Sequence, residues 1–333
     1  MTVMSQRRII ELDYLKGVLI LLVIGFHLVW FEQLHPFAKQ VVYSFHMPGF
    51  LLMSGYLMNV GKPPKDFLRM LLWLAVPYIV MESGYIVMAS LLPINEHIDR
   101  LTPAVFLDRL CLHPLGPYWY LHTLIICEAI YYSIHNSLFL EWFLGMKKIF
   151  GLLGKWPYYV LAYFAVYYVL GTLLPLKGVG GGFSFSSALY FLAGAAIRQR
   201  GIGFIAFFHP SWLSVLAFAM LVFFIDSPNQ TSFSGALIAY TAISSLLFLF
   251  NLFTFSSFHL FAFLGRNSLV LYIFSPIFTI LCKHFVPYLQ FDPTGLLFLL
   301  VSLIVCVAGS LAIAWAMDFT GTSRFFFGRR ALS

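Results

Sequence analysis

The sequence predicts an all-α integral membrane protein, a bundle of about ten transmembrane helices with both termini cytoplasmic. Three observations lead there. Of 333 residues, 61% are hydrophobic and only 10% charged, against about 25% charged in ordinary soluble domains. Apolar runs recur that can cross a hydrocarbon core of about 30 Å, which takes roughly 20 helical residues. The Lys and Arg residues, finally, gather in alternate connections. Period-two alternation of apolar and polar residues is absent, which excludes a membrane β-barrel.

The apolar runs are Leu12 to Phe31, Val41 to Met58, Phe67 to Leu92, Pro117 to His135, Pro157 to Pro175, Phe183 to Ile197, Phe204 to Asp226, Phe233 to Phe250, His259 to Cys282, and Thr294 to Met317. The sixth and eighth carry the weakest apolar signal. With the N-terminus inside, the inner connections and termini hold Arg7, Arg8, Lys62, Lys65, Arg69, Lys147, Lys148, Lys155, Arg198, Arg200, Arg324, Arg329 and Arg330. The outer loops hold only Lys39, Arg100, Arg109, Lys177 and Lys283. This asymmetry satisfies the positive-inside rule and supports an even number of spans.

The net charge of +7 follows from that topology and from contact with anionic lipid heads, and gives no reason to invoke nucleic acid. The basic start runs into an apolar span without a small-residue cleavage site, so no cleavable signal is expected. Cys111, Cys127, Cys282 and Cys306 have neither CxxC spacing nor a His-rich partner tract, and no metal site is expected. Cys127 and Cys306 read as core residues. Cys111 and Cys282 both map outside, where a disulfide between them is chemically allowed.

The longest polar connections, Pro93 to Gly116 outside and Asn136 to Trp156 inside, are too short for a separate soluble domain. The outer one carries His97, Asp99, Arg100, Asp108, Arg109 and His113, groups suited to a polar substrate or simply to solvent. The run Gly178 to Gly182 lacks the GxxxxGK[ST] phosphate-loop pattern and reads as a turn. No internal repeat is evident, which speaks against transporter folds built from duplicated halves.

Lys16 and His27 are eleven residues apart, which on a continuous helix returns to within roughly 20° of one face at about 16 Å separation. Ionisable residues in spanning helices cost about 2.5–3.5 kcal/mol on insertion scales, so they face the bundle interior and mark sites. A rise of 1.5 Å per residue puts His27 roughly 8 Å outward of the midplane, with His46 and His122 at comparable depth. Glu82 and Glu128 fall near the midplane and Lys16 roughly 8 Å inward. Asp13 shares the face of Lys16 three residues earlier. These groups trace a polar path through the bilayer. Each has a plainer alternative: the histidines as hydrogen-bonding packing residues, the glutamates as structural acceptors or neutral acids, and Asp13 with Lys16 as a charge pair at the cytoplasmic entrance.

The string Leu12-Asp13-Tyr14-Leu15-Lys16-Gly17 leading to His27, then Phe45-His46-Met47-Pro48-Gly49-Phe50 and Ser54-Gly55-Tyr56, resembles the opening of the membrane acyltransferase-3 family. Pro77-Tyr78, Trp119-Tyr120-Leu121, Phe191-Leu192-Ala193-Gly194 and Leu264 to Tyr272 continue the resemblance in order along most of the chain. It implies a ten-helix bundle, a single acyltransferase-3-like transmembrane domain over residues 1–333, and His27 as the catalytic residue. It also implies a membrane O-acyltransferase, most simply an O-acetyltransferase, that moves an acyl group from acyl-CoA to a sugar hydroxyl of an envelope glycan or lipid-linked precursor. Such an enzyme is expected in the inner (cytoplasmic) membrane of a bacterium, with acyl-CoA as co-substrate and no bound cofactor.

Two departures stand out. The basic position of the first helix, commonly Arg in the family, is Lys16, which keeps the charge but not the bidentate fork. Phe274-Ser275-Pro276 stands where many relatives have His, leaving Ser275 as a cavity-lining candidate without acid–base ability. On this reading Lys16 and Asp13 serve the donor, whereas His46, Glu82, His122, Glu128 and Ser275 line the acceptor cavity. The alternative class is an exporter of a glycan or lipid-linked oligosaccharide using the same polar path.

Overall fold

The computed structural model describes residues 9–92, 97–136, 160–166, 185–225, 232–252 and 259–332. Helices make up 82% of these residues and no strand occurs among them, which decides the all-α class. Four helical segments are long and apolar enough to cross a membrane: Pro64–Leu91, Phe233–Leu252, Ser268–Leu289 and Leu296–Thr320. Phe233–Leu252 corresponds to the eighth apolar run, one of the two with the weakest sequence signal. The Gly178 to Gly182 run, the lysines at 147, 148, 155 and 177, and most of the fifth apolar run lie outside the described residues.

The chain divides into two compact units, one of residues Met1–Phe50 with Ile202–Ser333 and the other of Leu51–Gly201. The first unit contains α1 (Ile10–Gly25), α2 (Val29–Leu34) and the greater part of α3 (Pro36–Leu57). The last turns of α3 count with the second unit, which continues through α4 (Pro64–Leu91), α5 (Pro103–Cys111), α6 (Trp119–His135) and α7 (Phe185–Gln199). Returning to the first unit, the chain forms α8 (Phe204–Phe208), α9 (Trp212–Phe224), α10 (Phe233–Leu252), α11 (His259–Arg266), α12 (Ser268–Cys282) and α13 (Leu296–Thr320).

Local chemistry explains the boundaries. Thr102 accepts the Val105 N–H at 3.2 Å and Pro103 follows it, a capped start for α5. Ser211 and Ser214 form a capping box at the start of α9. Asp292 accepts the N–H groups of Leu297 and Thr294, each at 2.9 Å, ahead of α13. These donors, Leu297 first, hold the Asp292 carboxyl below its ordinary range. Gly295 then supplies the left-handed φ of 67° from which α13 departs.

Three apolar runs read as continuous are broken. The first helix stops at Gly25: His27 N–H reaches both Val23 and Ile24 carbonyls, at 3.1 and 3.2 Å, and Leu28 turns extended before α2 begins. His27 therefore lies in a turn, and its stripe with Lys16 rests on a helix that ends two residues earlier. The seventh run breaks at His209, with φ of 44°, because the following Pro210 disfavours helical backbone before it. The ninth breaks at Asn267, which ends α11 and sits at the N-cap of α12. The spanning segment thus starts at Ser268 instead of His259, and Ser275 falls in its N-terminal half.

Each unit has one backbone-to-backbone helix crossing built on a glycine pair. In the first, Gly17 of α1 faces the Phe261 carbonyl of α11, while Gly265 of α11 faces the Asp13 carbonyl of α1. In the second, Gly55 of α3 faces the Phe191 carbonyl of α7, and Gly194 of α7 faces the Leu52 carbonyl of α3. A Cβ at any of the four would overlap backbone, which no rotamer change relieves. Small residues are what let membrane helices approach this closely.

Gly265→Ala and Gly194→Ala are each expected to destabilise the protein by about 1–3 kcal/mol or more, the usual cost of overpacking. Gly84→Ala meets nothing within 4 Å and should be neutral or slightly stabilising, since Ala is the better helix former. Thermal melting of the three variants in detergent provides the comparison, and equal midpoints would contradict the crossings.

Candidate active site

The end of α1 builds the site in the first unit. Once the helix stops at Gly25, its last carbonyls lose their intrahelical partners. The Phe26 carbonyl, immediately before His27, accepts the Tyr43 hydroxyl at 3.1 Å from α3. The Tyr43 ring lies 6.1 Å from the His27 ring and 4.9 Å from the His46 ring, between centroids. Three side chains from two elements thus converge.

His46 is buried and its Nδ1 donates to the Val42 carbonyl one turn back at 2.7 Å, which fixes the ring on its own helix. His27 is held differently. Its Nδ1 is buried without a hydrogen-bond partner among the described residues, so nothing in this unit consumes that nitrogen. An imidazole so placed can take or give a proton, or attack an acyl carbon.

The rim beside this pair is charged and aromatic. Lys39 pairs with Glu32 at 2.8 Å and sits 5.3 Å above the Tyr43 ring. His35, just after α2, donates from Nε2 to the Thr294 carbonyl at 2.8 Å, tying α2 to the turn that starts α13. Trp30 packs edge-on against Phe298 with centroids 5.1 Å apart. The segment from His27 to His35 is thereby anchored at both ends.

Lys16 and Asp13 stand near the other end of α1, Asp13 buried and Lys16 partly so, beside the crossing with α11. Ser275 is buried in α12, which packs against α1.

In the second unit, the sequence-selected residues Glu82 and His122 hold one segment of chain. His122 Nε2 donates to the Cys111 carbonyl at 2.8 Å, and Tyr78 donates to the Leu110 carbonyl at 2.6 Å. Both carbonyls belong to the end of α5, where they have no intrahelical partner. Glu82, fully buried, accepts the Leu115 N–H at 2.6 Å four residues further on. The outer connection is thus folded and pinned. Within it, His113 Nδ1 and the Asp108 carboxylate are 2.8 Å apart, and Arg109 approaches the same carboxylate at 4.0 Å. Glu128 of α6 is buried with Oε2 unpartnered among the described residues.

Cys111 is exposed in the second unit and Cys282 is buried in the first. No group of three or more His, Cys, Asp or Glu residues that could hold a metal occurs among the described residues. Sequence reasoning did not select Tyr43. Its only sequence signal is a place three residues before His46.

A largely apolar helical chain with an imidazole set into a helix break defines a membrane protein with a candidate reactive group in its interior. The chain matches the acyltransferase-3 family, described as an acyltransferase domain, over residues 9–315, and it belongs to that family. It is accordingly an acyltransferase. No curated protein and no solved structure matches it.

Removing the Glu82 carboxylate should leave a buried N–H unpaired, at a cost of about 1–3 kcal/mol. Glu82→Ala is expected to lower the melting midpoint and open the 97–116 connection to protease, whereas Glu82→Gln keeps an acceptor oxygen and should melt closer to wild type. An alanine variant with unchanged midpoint and cleavage would show that the contact does not hold the loop.

Proposed function

We propose that this protein is a membrane O-acyltransferase, most simply an O-acetyltransferase, that moves an acyl group from acyl-CoA to a sugar hydroxyl of an envelope glycan or lipid-linked precursor. Family membership supports acyl transfer, and the observation that carries the site is the buried, unpartnered Nδ1 of His27 at the break after α1. In the proposed step, the His27 imidazole takes the hydroxyl proton as the sugar oxygen attacks the thioester carbonyl. The carbon–sulfur bond then breaks, and the departing thiolate takes the proton back. Base catalysis of this kind contributes about 10²–10⁴-fold.

The full arrangement we infer has ten spans with both termini cytoplasmic, in the inner membrane of a bacterium. Lys16 and Asp13 meet the anionic donor from the cytoplasm; His46 and Ser275 are the acceptor-side candidates of the first unit, and Glu82, His122 and Glu128 those of the second. The roles are unequal in their support. His46, Glu82 and His122 each already spend a polar atom on backbone, which suits positioning better than chemistry. Membrane lipids surround the bundle, and no nucleic acid takes part.

The decisive measurement is the ester content of envelope glycans from cells with and without the gene, released by mild base and weighed by mass spectrometry. Loss of an O-acyl ester on deletion supports the reading; glycan retained on the inner side, with its esters intact, would point to export instead. His27→Ala and His27→Gln should both lower transfer by about 10²-fold or more while leaving expression and melting near wild type. Lys16→Arg is expected to keep more activity than Lys16→Ala, whose defect should appear as a raised KM for acyl-CoA. An alanine variant with wild-type donor KM and turnover would remove Lys16 from the site.

A further inference from the structure

We propose that Tyr43 is a positioning residue for acyl transfer: its hydroxyl latches the turn that presents His27, and its ring spaces the His27 and His46 imidazoles. The inference rests on the acyltransferase reading of His27 and adds a residue to it. Its basis is the convergence of three contacts on one side chain. The hydroxyl donates to the Phe26 carbonyl at 3.1 Å, the ring lies 6.1 Å from His27 and 4.9 Å from His46, and the Lys39 ammonium stands 5.3 Å above it.

The latch matters because His27 is outside regular helix. The His27 N–H still reaches the Val23 and Ile24 carbonyls, but the chain is extended at Leu28, with ψ of 100°, and the Phe26 carbonyl is met by Tyr43 instead of by a following helical N–H. The orientation of the His27 ring therefore depends on where the Phe26–His27 peptide is held. Tyr43 grips that peptide from α3, the helix that also carries His46, so one residue sets the turn and the distance between two imidazoles. Lys39 is itself tied to Glu32 of α2 at 2.8 Å, and the segment following His27 is thus coupled back to the same ring.

Tyr43→Phe removes the hydroxyl and keeps the ring. Purified wild-type and variant protein are assayed for thiol release from acetyl-CoA with extracted envelope glycan as acceptor. A displacement of the catalytic group by about 1 Å costs on the order of 10²-fold, and a loosened turn should cost less. The expected result is a kcat roughly 5- to 100-fold lower, with KM for both substrates and the melting midpoint close to wild type. A wild-type kcat, or a defect confined to KM or to melting, overturns the proposal. Should Tyr43→Phe not fold, Tyr43→Gln and Tyr43→Leu replace it: the glutamine, which keeps a donor, must exceed the leucine in kcat, and equal values overturn the latch. His27→Ala in the same assay separates the two claims. An active His27→Ala defeats the assignment of His27, whereas an inactive His27→Ala beside a fully active Tyr43→Phe defeats the latch alone.

Discussion

A backbone carbonyl left over where a helix ends inside a bilayer has no water to turn to, and an unsatisfied one costs several kcal/mol. This chain has several early ends, those of α1 and α8 within apolar runs and that of α5 in the outer connection. Each is met by a side chain from another element. Tyr43 serves Phe26, Tyr78 and His122 serve Leu110 and Cys111, and Tyr240 and Ser244 serve Phe207 and Phe208. Much of the polar inventory that makes the sequence look functional is thus occupied with the backbone.

Against that background the Nδ1 of His27 is buried without a partner among the described residues, as is that of His122, whose other ring nitrogen is nonetheless given to the backbone. His46 and His122 sit in the interior as well, but each gives a ring nitrogen to a carbonyl. A side chain fixed in this way makes a rigid wall. One whose nitrogen is left over is placed at some cost in desolvation.

The two glycine crossings give the family strings a mechanical meaning. Gly17, Gly55, Gly194 and Gly265 all fall within the motifs that carry the resemblance, and all four sit where a carbonyl of the facing helix leaves no room for a Cβ. The first crossing clamps α1 at the end that bears Asp13 and Lys16, so the strand of chemistry along α1 begins from a fixed point. Lys16 is one residue from the contact, and its placement follows from Gly17 as much as from its own charge.

Composition and hydropathy by themselves determined the all-helical membrane class, because the demand for apolar length and internal backbone satisfaction acts on each segment alone. The ordered motifs likewise determined the acyltransferase family and singled out His27. Helix breaks were partly legible: His209-Pro210 is a local signal, and Asn267 before Ser268 is a plausible cap, but hydropathy runs smoothly through both. The break before His27 carries no such mark, since Gly25 and Phe26 are compatible with helix and the Phe26 carbonyl is met from α3. Tertiary structure alone decided that Tyr43 belongs beside His27, that Glu82 and His122 fasten the outer connection, and that Ser275 falls in the first half of its span. These are pairings between segments far apart in sequence, and a one-dimensional pattern reports the face a residue occupies without reporting which carbonyl or ring it will meet.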